Sequence, residues 1–555
     1  MPSPVRVTFL GGLGEIGRNC MCVEVEGRLM LLDCGLMFPD ADMHGVDLVL
    51  PDFTFLRENA HRIDGCIATH GHEDHVGGLS YLLRDIEKLP IFGSALTLGL
   101  ARNRIEEAGL LGRTELVEVK DGQRIQVGPF DLEFIPVTHS VPHAFATAFH
   151  TPQGVVLHSG DFKLDLTPVD GRRTDLARIG AIASTEGIRL LMSDSTNAEE
   201  AGHAPSERDV GKVLRALFQQ HSGRRIITAS FASHIHRIQQ IIDAAVACGR
   251  VVATIGLSMR KNLRLARDLG LIQVSDSSIV DIEQVGDYQP GQVCIISTGS
   301  QGEPMSALSL LAQNENKWLK LTSDDTVILS SHAIPGNEFN VNRVIDGMLR
   351  QGAEVIHSGI ADVHATGHAQ ADELKTLLAI CNPQFFVPVH GEFRHLNAHA
   401  RLANLMGVSD DRILLAEDGD VIELGDSGID FSGRVPAGYL YVDGIVGDVG
   451  QGVLRDRRVL AEEGVVVVIV AVDAASGKVI TGPEVITRGW VYAPEAEDLI
   501  DEACDRVRAA VAEVFQNPGP HDIERLERVV RQAAGRFVNE RTKRRPMIVP
   551  VVMEA

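Results

Sequence analysis

Four metal-binding side chains within six residues constrain this chain more than any other feature. Residues 69–75 read THGHEDH, an H-x-H-x-D-H pattern that follows a predicted strand over residues 63–70. Imidazole and carboxylate groups together suit zinc or manganese, and Gly71 gives the backbone room to turn. The alternative is a polar loop in which Asp74 caps a helix, but so many ligands in one loop disfavour it. The pattern predicts a metal centre at the end of a strand.

One loop cannot complete two ion sites, so further ligands are expected at the ends of other strands. The segments VTHS, SGDF and PVHGE each end a predicted strand with a histidine or an aspartate. Any one of these residues alone would more often be structural, but the same context beside the H-x-H-x-D-H loop reverses that expectation. The predicted ligands are His70, His72 and His139 for one ion, Asp74, His75 and His390 for the other, and Asp161 as a bridge. Asp33 ends another strand and is expected to orient the histidines from behind.

A glycine-rich turn near the start of the chain offers a competing interpretation. Residues 12–17, GLGEIG, follow a strand and match the GxGxxG pattern of dinucleotide-binding folds. That site needs a helix directly after the glycines to hold the pyrophosphate. Residues 19–33 instead alternate like two strands around a turn at Gly27. We therefore predict a turn between strands.

Composition narrows the class of protein. The 555 residues are too many for one core, and 44% hydrophobic with 23% charged residues is typical of globular domains. A net charge of −23 excludes a globally basic nucleic-acid binder, although not a local basic groove. The longest apolar runs are far shorter than the roughly 20 residues of a membrane span, and no secretory signal is visible. We expect a cytoplasmic protein without a membrane partner, whose eight cysteines are reduced and mostly buried.

The order of predicted strands and helices along the chain indicates five segments of an α/β protein. Strands and strand–loop–helix units run to about residue 205, and a regular strand–helix alternation typical of a parallel α/β domain follows. The alternation ends where strands again finish in histidines, and a small α/β unit closes the chain. The predicted segments are 1–205 and 355–425 as two parts of one core, 206–354 as an insert, 426–450 as a linker, and 451–555 as a C-terminal α/β domain.

These motifs resemble a known family. Asp33, the H-x-H-x-D-H loop, His139, Asp161 and His390 match in order the ligand motifs of the metallo-β-lactamase fold, and the insert resembles its β-CASP nuclease branch. GLGEIGRN, THGHEDHVGG, SDSTN, HATGHA and PVHGE resemble ribonuclease J along essentially the whole chain. The resemblance implies an αββα sandwich with an inserted parallel α/β β-CASP domain and a small C-terminal α/β domain.

The same resemblance implies a function. It points to a bacterial ribonuclease with 5′→3′ exonuclease and endonuclease activity in RNA processing and decay, including rRNA and mRNA. Two Zn²⁺ ions per chain are expected, with Mn²⁺ or Mg²⁺ as alternatives in activity. The expected partners are single-stranded RNA with a 5′-monophosphate end, further copies of the chain in a dimer or tetramer, and an RNA-degradation complex.

Candidate catalytic and substrate-binding residues rest largely on this resemblance. His368 is the expected proton donor or phosphate stabiliser, and Asp194 is expected to orient it or tune its charge, although Asp194 also suits a helix cap. Two loops with hydroxyls and backbone amides are expected to bind the terminal phosphate. They contain Ser233, His234 and Ile235 in the first loop, and His364, Ala365, Thr366, Gly367 and His368 in the second. Family members often have Asn at position 234 and Ser at position 366.

Two other classes of function compete with a nuclease. A small-molecule hydrolase of the same fold, acting on thioesters or lactams, would use the same metals. The insert of about 145 residues, together with His364 and His368, favours a polymeric phosphate substrate. A non-catalytic RNA-binding scaffold is the other alternative, and the complete set of ligand positions disfavours it.

Overall fold

The computed structural model describes residues 3–40, 42–303, 305–334, 337–444, 446–447, 449–473, 478–492, 496–516 and 522–554. It divides into two compact units. The first comprises Met1–Phe38 and Val49–Tyr439, and the second comprises Pro39–Leu48 and Leu440–Ala555.

The first part of the chain supplies most strands of two sheets. Its strands are β1 (Val5–Gly11), β2 (Leu13–Gly14), β3 (Cys20–Val25), β4 (Arg28–Leu32), β5 (Leu48–Pro51), β6 (Ile63–Ile67), β7 (Leu89–Gly93), β8 (Thr114–Glu118), β9 (Arg124–Val127), β10 (Phe130–Val137), β11 (Ala144–Thr151), β12 (Gly154–His158) and β13 (Ile188–Asp194). Its helices are α1 (Thr54–Glu58), α2 (Glu73–Val76), α3 (Leu79–Asp85), α4 (Ala95–Glu107) and α5 (Leu176–Thr185).

The insert is a parallel α/β domain. Its helices are α6 (Glu207–Gln220), α7 (Ile235–Ala247), α8 (Leu257–Asp268), α9 (Ala307–Ala312) and α10 (Glu338–Arg350). Its strands are β14 (Arg225–Ala229), β15 (Val251–Ile255), β16 (Val293–Ser297), β17 (Asp325–Leu329) and β18 (Glu354–Ile356), all parallel in the order β15-β16-β14-β17-β18. The first helix begins after Ser206, whose hydroxyl accepts a hydrogen bond from the Arg208 N–H as an N-cap.

The return segment completes both sheets of the core. It contains α11 (Ala371–Cys381), β19 (Phe385–Val389), β20 (Gly391–Glu392), α12 (Phe393–Leu405), β21 (Asp420–Gly425) and β22 (Gly428–Arg434). Strand β19 lies parallel to β13 in the second sheet, and β21 lies antiparallel to β1 in the first. Strand β22 pairs antiparallel with β21, so this sheet extends into residues 426–450, the segment predicted as a linker.

The two sheets pack face to face. Their strand orders are β22-β21-β1-β3-β4-β6-β7-β8 and β19-β13-β12-β11-β10-β9. Buried side chains such as Phe9 and Met30 of the first sheet and Phe134 and Val156 of the second form one core. Residues of α5, α11 and α12 pack on the outer face of the second sheet. This arrangement is the predicted helix-covered sandwich, and the predicted α/β fold class is confirmed.

The second unit has its own small core. Its elements are β23 (Tyr439–Asp443, whose first residue belongs to the first unit), β24 (Val446–Gly447), α13 (Gly450–Glu462), β25 (Val465–Asp473), β26 (Lys478–Arg488), α14 (Glu497–Gln516), α15 (Ile523–Thr542) and β27 (Met547–Glu554). Strand β25 lies between β26 and β27, and Val466, Val468 and Val470 on one of its faces pack with residues of α14 and α15. Within the described part of the chain, every helix is too short or too polar to cross a membrane.

Candidate metal centre

The structure brings all seven predicted ligands together. They lie after β6, at the end of β10, after β12 and at the end of β19. Their ligand atoms form two groups, and within each group these atoms lie within 4.8 Å of one another. The groups are His70, His72, His139 and Asp161, and Asp74, His75, Asp161 and His390. Asp161 belongs to both groups, so the geometry has the form of two neighbouring ion sites that share a carboxylate.

The carboxylate of Asp161 fits a bridging role. Its Oδ2 is buried and has no hydrogen-bond partner among the described residues. An orphaned buried carboxylate oxygen is costly unless a cation neutralises it. Imidazole nitrogens surround it at distances of 3.5 Å (His70), 3.2 Å (His75), 3.9 Å (His139) and 3.2 Å (His390). These nitrogen and oxygen donors suit zinc or manganese.

The electrostatic surroundings of the histidines differ between the two groups. Burial lowers the pKa of His70, His72 and His139, that of His72 to about 4, so these rings are neutral and can donate a lone pair to a metal. Burial also opposes charge on His75 and His390, but the surrounding carboxylates, of which Asp161 contributes most, together outweigh it and raise both pKa values. The second group therefore attracts positive charge, as expected of a cation site rich in carboxylates.

Neighbouring groups fix the direction of the ligand rings. Asp33 Oδ2 lies 2.7 Å from His75 Nδ1, and Asp33 also accepts hydrogen bonds from the N–H and hydroxyl of Thr69 at 2.8 Å. His139 Nδ1 lies 2.8 Å from the carbonyl oxygen of Gly367. Both contacts require the proton on Nδ1, which leaves Nε2 of each ring facing the centre of the site. Asp33 thus lies where the sequence placed it.

Residues of the glycine-rich turn, and those directly after it, contact the segment that carries the ligands. Asn19 Nδ2 donates to the carbonyl oxygen of Asp74 at 3.1 Å. Gly12, at φ +96°, passes so close to Asn19 that a Cβ there would lie 2.4 Å from Asn19 Oδ1. The preceding Arg18 is buried and donates to Glu15 at 2.5 Å and to Asp418 at 2.8 Å. The sequence analysis assigned no role to Arg18 or Asn19. The feature that could have indicated a role is their position directly after the glycines.

His368 and Asp194 form a pair beside the bridging carboxylate. His368 Nδ1 lies 2.8 Å from Asp194 Oδ2 and 3.9 Å from Asp161 Oδ2. Burial opposes charge on His368, but these two carboxylates outweigh it and raise its pKa to about 9. Asp194 Oδ1 accepts hydrogen bonds from the N–H and hydroxyl of Thr196. His368 is therefore a held cation next to the metal ligands.

The second predicted phosphate loop borders the same site. Thr366 Oγ1 accepts hydrogen bonds from Asn197 Nδ2 at 2.8 Å and from the His368 N–H at 3.2 Å. A side chain at Gly367 would come within 2.7 Å of the His139 ring, so a glycine is needed there. Ala365 is buried in the core of the insert. The loop thus presents a hydroxyl and backbone groups beside His368.

The first predicted phosphate loop is only partly available to a ligand. Ser233 is partly exposed. Ile235 is fully buried in the core of the insert, and its N–H donates to the Ser233 carbonyl oxygen at 2.9 Å. His234 is buried with its Nε2 3.4 Å from Glu207 Oε1, and burial lowers its pKa to about 4. The Ile235 side chain thus fills the core and the His234 side chain faces a buried carboxylate. The binding of a terminal phosphate by this loop stays a prediction.

These two ligand groups on a sandwich with an α/β insert define a class, the β-CASP metallohydrolases of the β-lactamase superfamily. Four family models match successive parts of the chain. They are the β-lactamase superfamily domain over residues 28–222, the ribonuclease J β-CASP domain over 223–348, the RNA specificity domain of Zn-dependent metallohydrolases over 353–411, and the ribonuclease J C-terminal domain over 452–555.

Curated relatives identify the family within that class. The chain is 42% identical to ribonuclease J of Mycolicibacterium smegmatis over 100% of its length and 98% of that protein. It is 43% identical to ribonuclease J of Thermus thermophilus (99% and 95% covered) and 38% identical to ribonuclease J2 of Bacillus subtilis (99% and 98%). The chain belongs to the ribonuclease J family.

A solved structure agrees on the fold alone. A protein of unknown function from Enterococcus faecalis matches 76% of this chain and 100% of its own, with a TM-score of 0.54 and 16% identity. Family membership confirms the predicted resemblance and the enzyme class, a metal-dependent ribonuclease that processes RNA. It does not favour the small-molecule hydrolase or the non-catalytic scaffold.

Proposed function

We propose that the protein hydrolyses RNA at the two ligand groups, as a 5′→3′ exonuclease on terminal substrates and as an endonuclease on internal sites. The observation that carries this proposal is the buried Asp161 Oδ2 shared by two complete ligand sets beside a charged histidine. The bound ions, which we propose are two Zn²⁺ with Mn²⁺ or Mg²⁺ as alternatives, would lower the pKa of water and neutralise phosphate charge.

The protein's own groups would orient the phosphodiester and supply a proton. His368 is held through Nδ1 by Asp194, which leaves its Nε2–H for the substrate. Burial opposes its charge, but Asp194 raises its pKa, so a protonated ring can stabilise a phosphate oxygen or protonate the leaving 3′-oxygen. The buried, paired carboxylate of Asp194 keeps the ring in the required orientation.

His72→Ala tests the metal centre. The change removes one ligand from the first group, so bound zinc and RNA hydrolysis should both fall strongly while the circular dichroism spectrum stays that of the folded protein. Arg215→Ala, a change at an exposed residue of the insert, is the control. Full hydrolysis by the metal-analysed His72→Ala protein would overturn the two-ion proposal.

We propose further that the protein prefers a 5′-monophosphate end. Ser233 lies in the loop before α7, and the Thr366 hydroxyl and the backbone of the second loop border His368. A missing phosphate forfeits charge-assisted hydrogen bonds worth roughly 1.5–3 kcal/mol each, whereas a triphosphate adds bulk and charge that a closed pocket does not admit. The exonuclease kcat/KM should therefore rank 5′-monophosphate above both 5′-hydroxyl and 5′-triphosphate.

The Ser233→Ala, Thr366→Ala double variant tests this terminal site. It should remove the ranking among three RNAs that differ only at the 5′ group, because both hydroxyls are lost. Cleavage of an internal site should keep its rate, since that site presents no terminus. A wild-type enzyme with equal kcat/KM for all three RNAs would show that these loops do not read a phosphate.

We also propose a homo-oligomer, dimer or tetramer, assembled through the second unit. The face of its sheet opposite α14 and α15 carries half-buried Val465, Val467 and Ile469, and Ile486 is 40% exposed. An open apolar sheet face of this kind is typical of a protein interface. We place the enzyme in the cytoplasm, where its eight free thiols, all in the described part of the chain, stay reduced, and we propose a role there in an RNA-degradation complex.

A further inference from the structure

A buried cluster of charged side chains joins the segment after Asp161 to the start of the insert. Lys163 and Asp165 follow the bridging ligand by two and four residues. Lys163 Nζ donates to the carbonyl oxygen of Pro205 at 3.0 Å, and Asp165 Oδ2 accepts from the Ser206 hydroxyl at 3.0 Å and the Glu207 N–H at 3.1 Å. The first residues of the insert are therefore fastened to the segment that carries the metal ligand.

Glu207 continues this connection into the insert. Its side chain is buried, with Oε2 2.6 Å from Arg237 Nη2, and Oε1 3.8 Å from Lys163 Nζ and 3.4 Å from His234 Nε2. Burial opposes charge on Glu207, but Arg237, His234 and Lys163 together outweigh it and hold the pKa of this carboxyl well below its usual range. Glu207 is thus a buried anion in contact with cations from both the core and the insert.

Arg237 extends the contact to the second phosphate loop. It is fully buried, and its Nη1 donates to the Ser330 carbonyl oxygen at 3.2 Å and to the Val363 carbonyl oxygen at 2.8 Å. Val363 directly precedes His364, the first residue of that loop, and the first loop, which ends at Ile235, lies two residues before Arg237. One carboxylate therefore connects both loops to the segment after Asp161.

We propose that Glu207 is a positioning residue that sets the distance between the terminal-phosphate loops and the metal ligands. The inference rests on the proposed 5′-end recognition. In an exonuclease that holds the terminal phosphate, the distance between the phosphate site and the metal ligands determines which phosphodiester bond is cut. Glu207, through Lys163 on one side and Arg237 on the other, holds that distance, and so determines that one nucleotide is released per cut.

Glu207→Gln tests the proposal because it keeps the size of the side chain and removes its charge. With 5′-monophosphate RNA, kcat/KM should fall at least about tenfold, and dinucleotides should appear among the first products. Cleavage of a circular RNA, which has no 5′ end, should change less than about threefold. Glu315→Gln, at an exposed residue of the insert, is the matched control and should match the wild type on both RNAs.

Two outcomes with Glu207→Gln would overturn the proposal. One is an unchanged rate and product length with 5′-monophosphate RNA. The other is an equal loss on linear and circular RNA, which would mean that Glu207 only stabilises the fold. If Glu207→Gln does not fold, Ser330→Ala, which removes one hydroxyl next to Arg237, should give a weaker shift of the same kind, and wild-type behaviour of that variant would overturn it. A wild-type enzyme indifferent to the 5′ group would instead refute the proposed terminal recognition itself.

Discussion

Asp161 is the residue that the two ligand groups share. A buried carboxylate oxygen that faces several imidazole nitrogens without a hydrogen bond is stable only with a cation nearby. The residue was predictable because SGDF ends a strand, as the other ligand segments do. The sequence placed Arg18 and Asn19 in the GLGEIGRN motif but did not predict their contacts, because the partners Asp418 and Asp74 are distant in the chain.

Asp161→Asn should remove metal and activity together. The amide keeps the size of the side chain but loses the charge that both ion sites share, so bound zinc should fall by more than half and RNA hydrolysis by at least about 100-fold. Metal analysis and single-turnover kinetics measure the two effects. Asp287→Asn, at an exposed residue of the insert, should leave both unchanged. A fully loaded, active Asp161→Asn enzyme would contradict the bridging role.

Asp418 gives a pH prediction away from the metals. Burial, opposed by Arg18 and assisted by Glu15, raises its pKa to about 7. The folded protein then binds this proton more tightly than the unfolded chain, whose Asp pKa is about 3.9. This carboxyl therefore lowers the free energy of unfolding as pH rises from about 4 to 7.

Asp418→Asn removes that titration. The free energy of unfolding of the variant minus that of the wild type should be larger at pH 8 than at pH 5, by about 1–3 kcal/mol. Urea unfolding of both proteins at the two pH values measures it. The same stability difference at pH 5 and pH 8 would show that Asp418 titrates near its ordinary pKa.

Among the elements, the short loops after strands carry the chemistry and local signals locate them well. The strand predicted over residues 63–70 is β6 (Ile63–Ile67), followed by the ligand loop. The helix α3 ends at Asp85. Ile86 is extended and buried because the chain must turn into β7, a tertiary requirement that local propensity does not contain.

The glycine turn allows a comparison within one loop. Gly12→Ala should weaken zinc binding, because its Cβ would collide with Asn19, which holds the Asp74 carbonyl. Gly14→Ala is the matched control: φ is +83°, but among the described residues no atom lies within 4 Å of its Cβ position. Both variants should lose roughly 1–2 kcal/mol from backbone strain, and only Gly12→Ala should lose zinc. Equal zinc affinity in the two variants would show that the Asn19 contact does not support the site.

At the scale of the whole molecule, the core is closed by a segment that follows the insert. Strands β19 and β21 join different sheets, and His390 at the end of β19 completes the second ligand group. The sequence predicted this return because a histidine-ending strand reappears after the α/β alternation. It did not predict β22, because Gly/Asp-rich residues are typical of linkers and only pairing with β21 makes them a strand.

Deletion of residues 451–555 tests the proposed assembly. Removal of the open sheet face should lower the oligomer size measured by light scattering, and it should weaken RNA hydrolysis indirectly, since the ligand groups lie in the first unit. The double change Val467→Asp, Ile469→Asp in the full chain is a milder test of the same face. Native oligomer size in both proteins would contradict a role of this unit in assembly.

The most direct test of the central claim is the product pattern from one RNA with a labelled 5′-monophosphate. A two-ion ribonuclease that acts from the 5′ end should release the label as a mononucleotide from the earliest times, with internal fragments as a second product. The metal-depleted enzyme should release neither. The account would be contradicted if the label stayed in long RNA fragments that shorten with time. It would also be contradicted if the enzyme left this RNA intact but hydrolysed a thioester.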